Sequence, residues 1–134
     1  MKFISFNHDN SEKFGIIENN LITDLTGKID GASSLKELIK IKKIKEAKEY
    51  AKSNPGSIKP DQIKYSPLIP NPGKIICVGL NYSEHVKETN RTVEENPVIF
   101  HRFPESQTAH MQAIQRPTVS ESLDFEGEMA VVMD

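Results

Sequence analysis

A chain of 134 residues with 37% apolar and 27% charged side chains has room for one ordinary domain, or for a small domain plus part of another. Its formal net charge of −2 supplies neither a general basic field for nucleic acid nor an acidic tail, and its one cysteine excludes an internal disulfide framework and suits a reducing compartment. No apolar stretch approaches the roughly 20 residues of a membrane span, and the opening MKFISFNHDN lacks the apolar core and cleavage site of a signal peptide, so the expected location is cytoplasmic.

The first elements read as a small sheet. MKFISF is rich in aromatic and β-branched residues, and FGIIENNLITDL reads as a hairpin that turns at Asn19-Asn20, because asparagine tolerates the positive φ of tight hairpins. His8 falls in an expected turn, solvated. SSLKELIKIKKIKEAKEYAKSN then reads as one helix. Ser34 and Glu37 match the S-x-x-E capping box, and Leu35, Leu38, Ile39, Ile44, Ala47 and Ala51 recur at helical spacing. Its other face carries Lys36, Lys40, Lys42, Lys43, Lys45, Lys48 and Lys52. A polyanion or membrane-surface contact would use such a face, but a solvated face supported by Lys42–Glu46 and Lys45–Glu49 pairs accounts for it more simply.

Prolines in NPGSIKPDQ and YSPLIPNPGK divide the chain near residues 54–70, giving a small N-terminal α+β domain at 1–60 and a second domain from 61 to 134. KIICVGLNY holds a short apolar run, Ile75 to Val78 and Leu80, of the kind found in a strand covered on both faces, with Cys77 as a buried structural thiol. NYSEHVKET has helical potential over two turns, NPVIFHRF reads as a strand, and RPTVSESLDFEGEMAVVMD reads as a loop feeding a final strand.

Two constellations carry chemistry. In a strand, Glu126 and Glu128 project from one face with Cα atoms about 6.5–7 Å apart, a spacing that lets two carboxylates converge on one hard cation. Magnesium suits them, since it takes oxygen ligands and typically uses one or two carboxylates. E-x-E is a common pattern, and a solvent-facing strand end with incidental acids also produces it. On a helix, His85 and Glu88 share a face, so that the carboxylate can orient the imidazole as a general base; a chance surface pair has the same spacing. Arg102 and Arg116 could bind a carboxylate bidentately, and His110, in a loop, could line a site. His101 lies at a strand end beside Arg102 and is less informative.

The order PNPGKIICVGLNYSEHVKE, then NPVIFHRFPES, then RP-x-VSE-x-LDFEGEMAVVM resembles the fumarylacetoacetate hydrolase family over residues 70–133, and the first 60 or so residues resemble the small N-terminal domain of many bacterial members. The resemblance implies an α+β fold in which the N-terminal hairpin/helix domain precedes the start of a β-rich mixed-sheet roll. It implies a Mg2+ (or Mn2+) site built on Glu126 and Glu128 with a third carboxylate from further along the chain, and a His85–Glu88 dyad on a short mobile helix. Substrate contacts are expected from Arg102 and His110. The implied substrates are small 2-oxo acids or β-dicarbonyl compounds, cleaved hydrolytically at a C–C bond, while some relatives decarboxylate, hydrate or isomerise. Homodimers are the usual assembly, and neither nucleic acid nor membrane is an expected partner. The resemblance breaks at AHMQA, where relatives often read GHGQP, and the changed backbone options bear on any contact made by His110. Asp134 lies about 20 Å from Glu128 along a continuous strand, too far to complete the metal site. The expectation is therefore a chain truncated within the catalytic domain, or, alternatively, a binding or assembly module without a complete metal site.

Overall fold

The computed structural model describes residues 1–88 and 96–133, without the side chains at positions 83–85. The fold class is α+β. The chain forms two compact units, Met1–Ile69 with Thr108–Asp134, and Pro70–Gln107.

The first unit is built on a meander. β1 (Lys2–His8), β2 (Ser11–Glu18) and β3 (Leu21–Asp24) pair antiparallel in sequence order, and β4 (Lys64–Tyr65) adds to the free edge of β1. Both hairpins turn on two residues with positive φ, Asp9 (52°) with Asn10 (58°) and Asn19 (50°) with Asn20 (62°). That geometry matches the right-handed twist of the flanking strands, and Asn and Asp reach it at low cost. His8 ends β1 instead of lying in a turn. Its side chain is only 20% exposed, with Nδ1 3.1 Å from the Asp9 carboxylate, so the expectation of a solvated histidine is corrected.

The expected single helix is two, α1 (Leu35–Lys40) and α2 (Ile44–Ser53). Ser34 caps α1, its Oγ accepting from the Glu37 N–H at 3.2 Å. The Glu37 carboxylate accepts from the hydroxyl and N–H of Ser33, with a smaller contribution from the Ser34 N–H, and these bonds hold it below the usual carboxylate range. The break lies at Lys42, which takes φ 59°. There the Lys42 N–H bonds the Ile39 carbonyl at 2.9 Å and the Lys43 N–H bonds the Leu38 carbonyl at 3.2 Å. Those two bonds form a Schellman termination with lysine at the position glycine usually holds. It satisfies carbonyls that would otherwise be orphaned and lets both helices bury an apolar face. Leu35 and Leu38 from α1 and Ala47 and Ala51 from α2 pack with Phe14, Ile16, Leu25 and Ile69 in one core. Each fully buried large apolar side chain contributes about 1.5–3 kcal/mol relative to exposure.

The proline-rich stretch is tied to this sheet. Ile22 and Ile58 exchange backbone hydrogen bonds at 2.8 and 3.4 Å, and the Ser5 hydroxyl donates to the Leu68 carbonyl at 2.7 Å. Gly56 lies so close that a Cβ there would stand 2.2 Å from the Ile22 carbonyl carbon.

In the second unit, β5 (Ile75–Gly79) pairs antiparallel with β6 (Val98–Arg102), and α3 (Ser83–Glu88) lies between them in sequence. The apolar run does form a strand, but it is not covered on both faces. Ile76 is 63% exposed, and Val78 and its partner Ile99 are also exposed, because β5 has β6 as its one strand neighbour among the described residues. Cys77 is correspondingly only partly buried, not a core thiol.

The expected final strand is absent from the described residues. Residues 121–133 have no regular structure, and Phe125, Met129 and Met133 are largely exposed. A strand is held by bonds to a neighbouring strand, and an apolar run alone does not supply one.

Candidate functional site

His85 and Glu88 both fall within α3. The backbone spacing expected for the dyad is therefore present, and Glu88 is exposed at the helix end. The His85 side chain lies outside the described residues, as does Asp134.

Arg102 ends β6. Its guanidinium stands over the Phe100 ring at 5.7 Å, on the face of β6 opposite to His101, which packs edge-to-face on Phe103 at 5.4 Å. Arg102 is exposed, and its guanidinium carries five N–H donors suited to meeting an anion from solvent. Arg116 is exposed in an irregular segment.

His110 belongs to a tight turn that is anchored at three points. Ala109 is buried, 7% exposed, and its N–H donates to the Gln112 side-chain oxygen at 3.4 Å. The Gln112 amide nitrogen donates to the Tyr65 carbonyl on β4 at 3.1 Å. The His110 ring packs edge-to-face on Tyr65, with centroids 5.0 Å apart and planes at 85°. Met111 takes φ 63°. Glycine accommodates this left-handed conformation most easily, and here a methionine takes it. Tyr65 and Gln112 were not legible as supports for His110, since nothing in the sequence pairs positions so far apart.

Glu126 and Glu128 are exposed on the irregular segment. Their donor chemistry suits a hard divalent cation, because both offer carboxylate oxygens. The strand that would aim both from one face has not formed, and among the described residues no group of three His, Cys, Asp or Glu side chains is placed to hold a metal ion. The pair thus matches magnesium in ligand type, while a closed coordination shell is not present in the described residues.

A further polar cluster lies on the N-terminal sheet. Asp24 accepts from Lys13 Nζ at 2.8 Å and from the Thr26 N–H at 2.8 Å. Burial disfavours its charge, but hydrogen bonds from Lys13 and Thr26 outweigh burial and hold the carboxyl below its ordinary value. The adjoining cleft, about 210 Å³ and lined by Thr23, Asp24, Tyr50 and Asn54 among others, is smaller than the roughly 300–1,000 Å³ of ligand pockets. This cluster fastens the sheet. On the basic helices, Lys43 bonds the Asp30 carbonyl at 3.2 Å and pairs with Glu46 at 3.4 Å. Among the described residues no helix is long and apolar enough to cross a membrane.

The profile of the fumarylacetoacetate hydrolase C-terminal domain matches residues 74–134. The chain is 42% identical over 72 residues to "Oxaloacetate tautomerase Fahd2a, mitochondrial" from Rattus norvegicus, a match covering 54% of this chain and 23% of the relative. It is 36% identical over 90 residues to "Oxaloacetate tautomerase fahd2, mitochondrial" from Xenopus laevis, covering 67% and 28%. These matches thus span about a quarter of each relative's length. Among solved structures it is similar to a protein assigned as HpcE from Mycobacterium smegmatis, with a TM-score of 0.64 at 21% identity, covering 85% of this chain and 40% of that one; this likeness supports the fold. By the domain match over residues 74–134 and by these relatives, this stretch of the chain matches the C-terminal domain of the fumarylacetoacetate hydrolase family.

Proposed function

We propose that this chain supplies binding and acid–base groups to a metal-dependent enzyme acting on small 2-oxo acids or β-dicarbonyl compounds. The observation that carries the reading is the family match over residues 74–134, which contains His85, Glu88, Arg102, His110, Glu126 and Glu128 in one stretch. The relatives named as oxaloacetate tautomerases direct the substrate proposal toward 2-oxo dicarboxylates. Keto–enol tautomerisation and hydrolytic C–C cleavage share a common need, since both place negative charge on an oxo oxygen and both move a proton.

In this reading Glu126 and Glu128 hold Mg2+ (or Mn2+). When bound, such an ion acts as a Lewis acid on the substrate's oxygens and stabilises enolate charge. His85, oriented by Glu88, takes a proton from water at its free imidazole nitrogen. Arg102 offers two parallel N–H groups to a substrate carboxylate, and His110 donates an N–H to a substrate oxygen. The proposed partners are a small oxo acid and a second copy of the chain, without nucleic acid or membrane. The division into domains at residue 60 and a cytoplasmic location belong to the same proposal.

The test is a titration of the chain with oxalate, which mimics the carboxylate and adjoining oxygen of a 2-oxo acid, followed by nuclear magnetic resonance with and without millimolar magnesium. Oxalate binding that requires magnesium and disappears in Glu126→Gln supports the reading. Binding indifferent to both magnesium and Glu126, or no binding at all, refutes it.

A further inference from the structure

The turn that carries His110 is more firmly built than a surface loop requires. Its first residue is buried, its third is held in a left-handed conformation, and its last spends both ends of one side-chain amide on fixing it. The Gln112 oxygen closes the turn on the Ala109 N–H, and the Gln112 nitrogen ties the turn to the Tyr65 carbonyl on β4. The Tyr65 ring then meets the imidazole itself, edge-to-face at 5.0 Å. Aromatic pairs at this distance and angle have a preferred geometry, so the contact limits how the imidazole rotates. His110 nevertheless remains exposed. The arrangement restrains the ring while leaving it open to solvent, which is what a group must have if it is to meet a ligand without first being ordered.

We propose that Tyr65 and Gln112 are positioning residues for His110. The N-terminal sheet thereby contributes to substrate recognition through β4, although neither residue touches substrate. The inference rests on the reading of His110 as a substrate contact. Tyr65 acts through its ring and Gln112 through its bridging amide, so the two make separable contributions. Losing either leaves the imidazole to be ordered by the ligand, at the usual cost of immobilising a side chain.

The experiment uses the full 134-residue chain, oxalate with millimolar magnesium as the probe, and the imidazole resonances of His110 as the readout. In the wild-type chain these resonances move on titration. Tyr65→Phe retains the ring and is expected to keep wild-type affinity. Tyr65→Leu and Gln112→Ala are each expected to weaken oxalate binding by roughly 3- to 10-fold. Tyr65→Leu is also expected to shift the His110 resonances in the absence of oxalate, because the ring current of the aromatic partner is gone, a change that a stability defect alone would not produce in a chain whose amide spectrum stays native. Unchanged affinity in both Tyr65→Leu and Gln112→Ala, with His110 still responding to oxalate, would overturn the positioning roles and leave His110 as a substrate contact. Oxalate binding in the wild-type chain without any movement of the His110 resonances would instead overturn His110 as the contact, and the inference with it.

Discussion

Replacing Gly56 by alanine tests how the proline-rich stretch is fixed to the sheet. The added methyl would stand 2.2 Å from the Ile22 carbonyl carbon, 2.3 Å from its oxygen and 2.5 Å from the Thr23 nitrogen. All three are backbone atoms of β3, so no side chain can swing aside to make room. The strand could move only by disturbing its register with β2, and so the stretch around residue 56 must lift away. Lifting it breaks the two hydrogen bonds between Ile22 and Ile58, each with a net value of about 0.5–1.5 kcal/mol. Any strain that persists adds the penalty of overpacking, typically about 1–3 kcal/mol. The expected loss is therefore about 2–6 kcal/mol. Urea unfolding followed by far-ultraviolet circular dichroism should show the midpoint falling by about 1–3 M. Gly73→Ala is the control, since a Cβ there meets nothing within 4 Å, and it should change stability by less than about 0.5 kcal/mol. A Gly56→Ala chain that unfolds at the wild-type midpoint would show that the approach to β3 is not a constraint, and the reasoning would fail.

The remaining predictions concern charge, backbone and metal. Because the folded-state carboxyl of Asp24 ionises below its ordinary value of 3.8, its contribution to stability is fully present above that value and is lost as pH falls through the lower folded value; Asp24→Asn should flatten that acid limb in denaturation curves recorded from neutral pH downward. Met111→Gly removes a side chain from a φ of 63° and should stabilise the chain by up to about 1 kcal/mol in urea, whereas a measured loss would show that the Met111 side chain does more than tolerate the turn. With two carboxylates and no third donor among the described residues, calorimetric titration should give magnesium affinity in the millimolar range, abolished in Glu128→Gln; micromolar binding would reveal a ligand outside this pair.

Much of the first unit was legible because its signals are local. Asn19-Asn20 announces a hairpin through its tolerance of positive φ, and Ser34 announces a helix start through its reach to the Glu37 N–H. The break at Lys42 was not legible, because lysine carries no preference for the left-handed conformation and the apolar spacing runs on through it. Burial of the two helix faces against the sheet, a tertiary effect, decides the matter there. The segment after Glu126 fails for the opposite reason: its continuous apolar run is strand-like, but a strand is a relation between two segments and the described residues offer no partner. Of the candidate site, residue types and spacing were readable, and the membership of His85 and Glu88 in one helix follows the expected pattern. The support given to His110 by Tyr65 and Gln112 depends on contacts between distant positions, which no local pattern encodes.

The meander of the first three strands also sets an order of assembly. Its two hairpins join neighbours through two-residue turns, so each closes over the shortest possible loop, on the microsecond scale of isolated hairpins. β4 and Ile58 must instead return from far along the chain to reach β1 and β3, which requires closing long loops against chain entropy. The rate at which this unit folds is therefore governed by the arrival of its outer edges rather than by its central strands. A chain emerging from the ribosome can hold its first 24 residues paired, with Phe14 and Ile16 still exposed, until the two helices have been made to cover them.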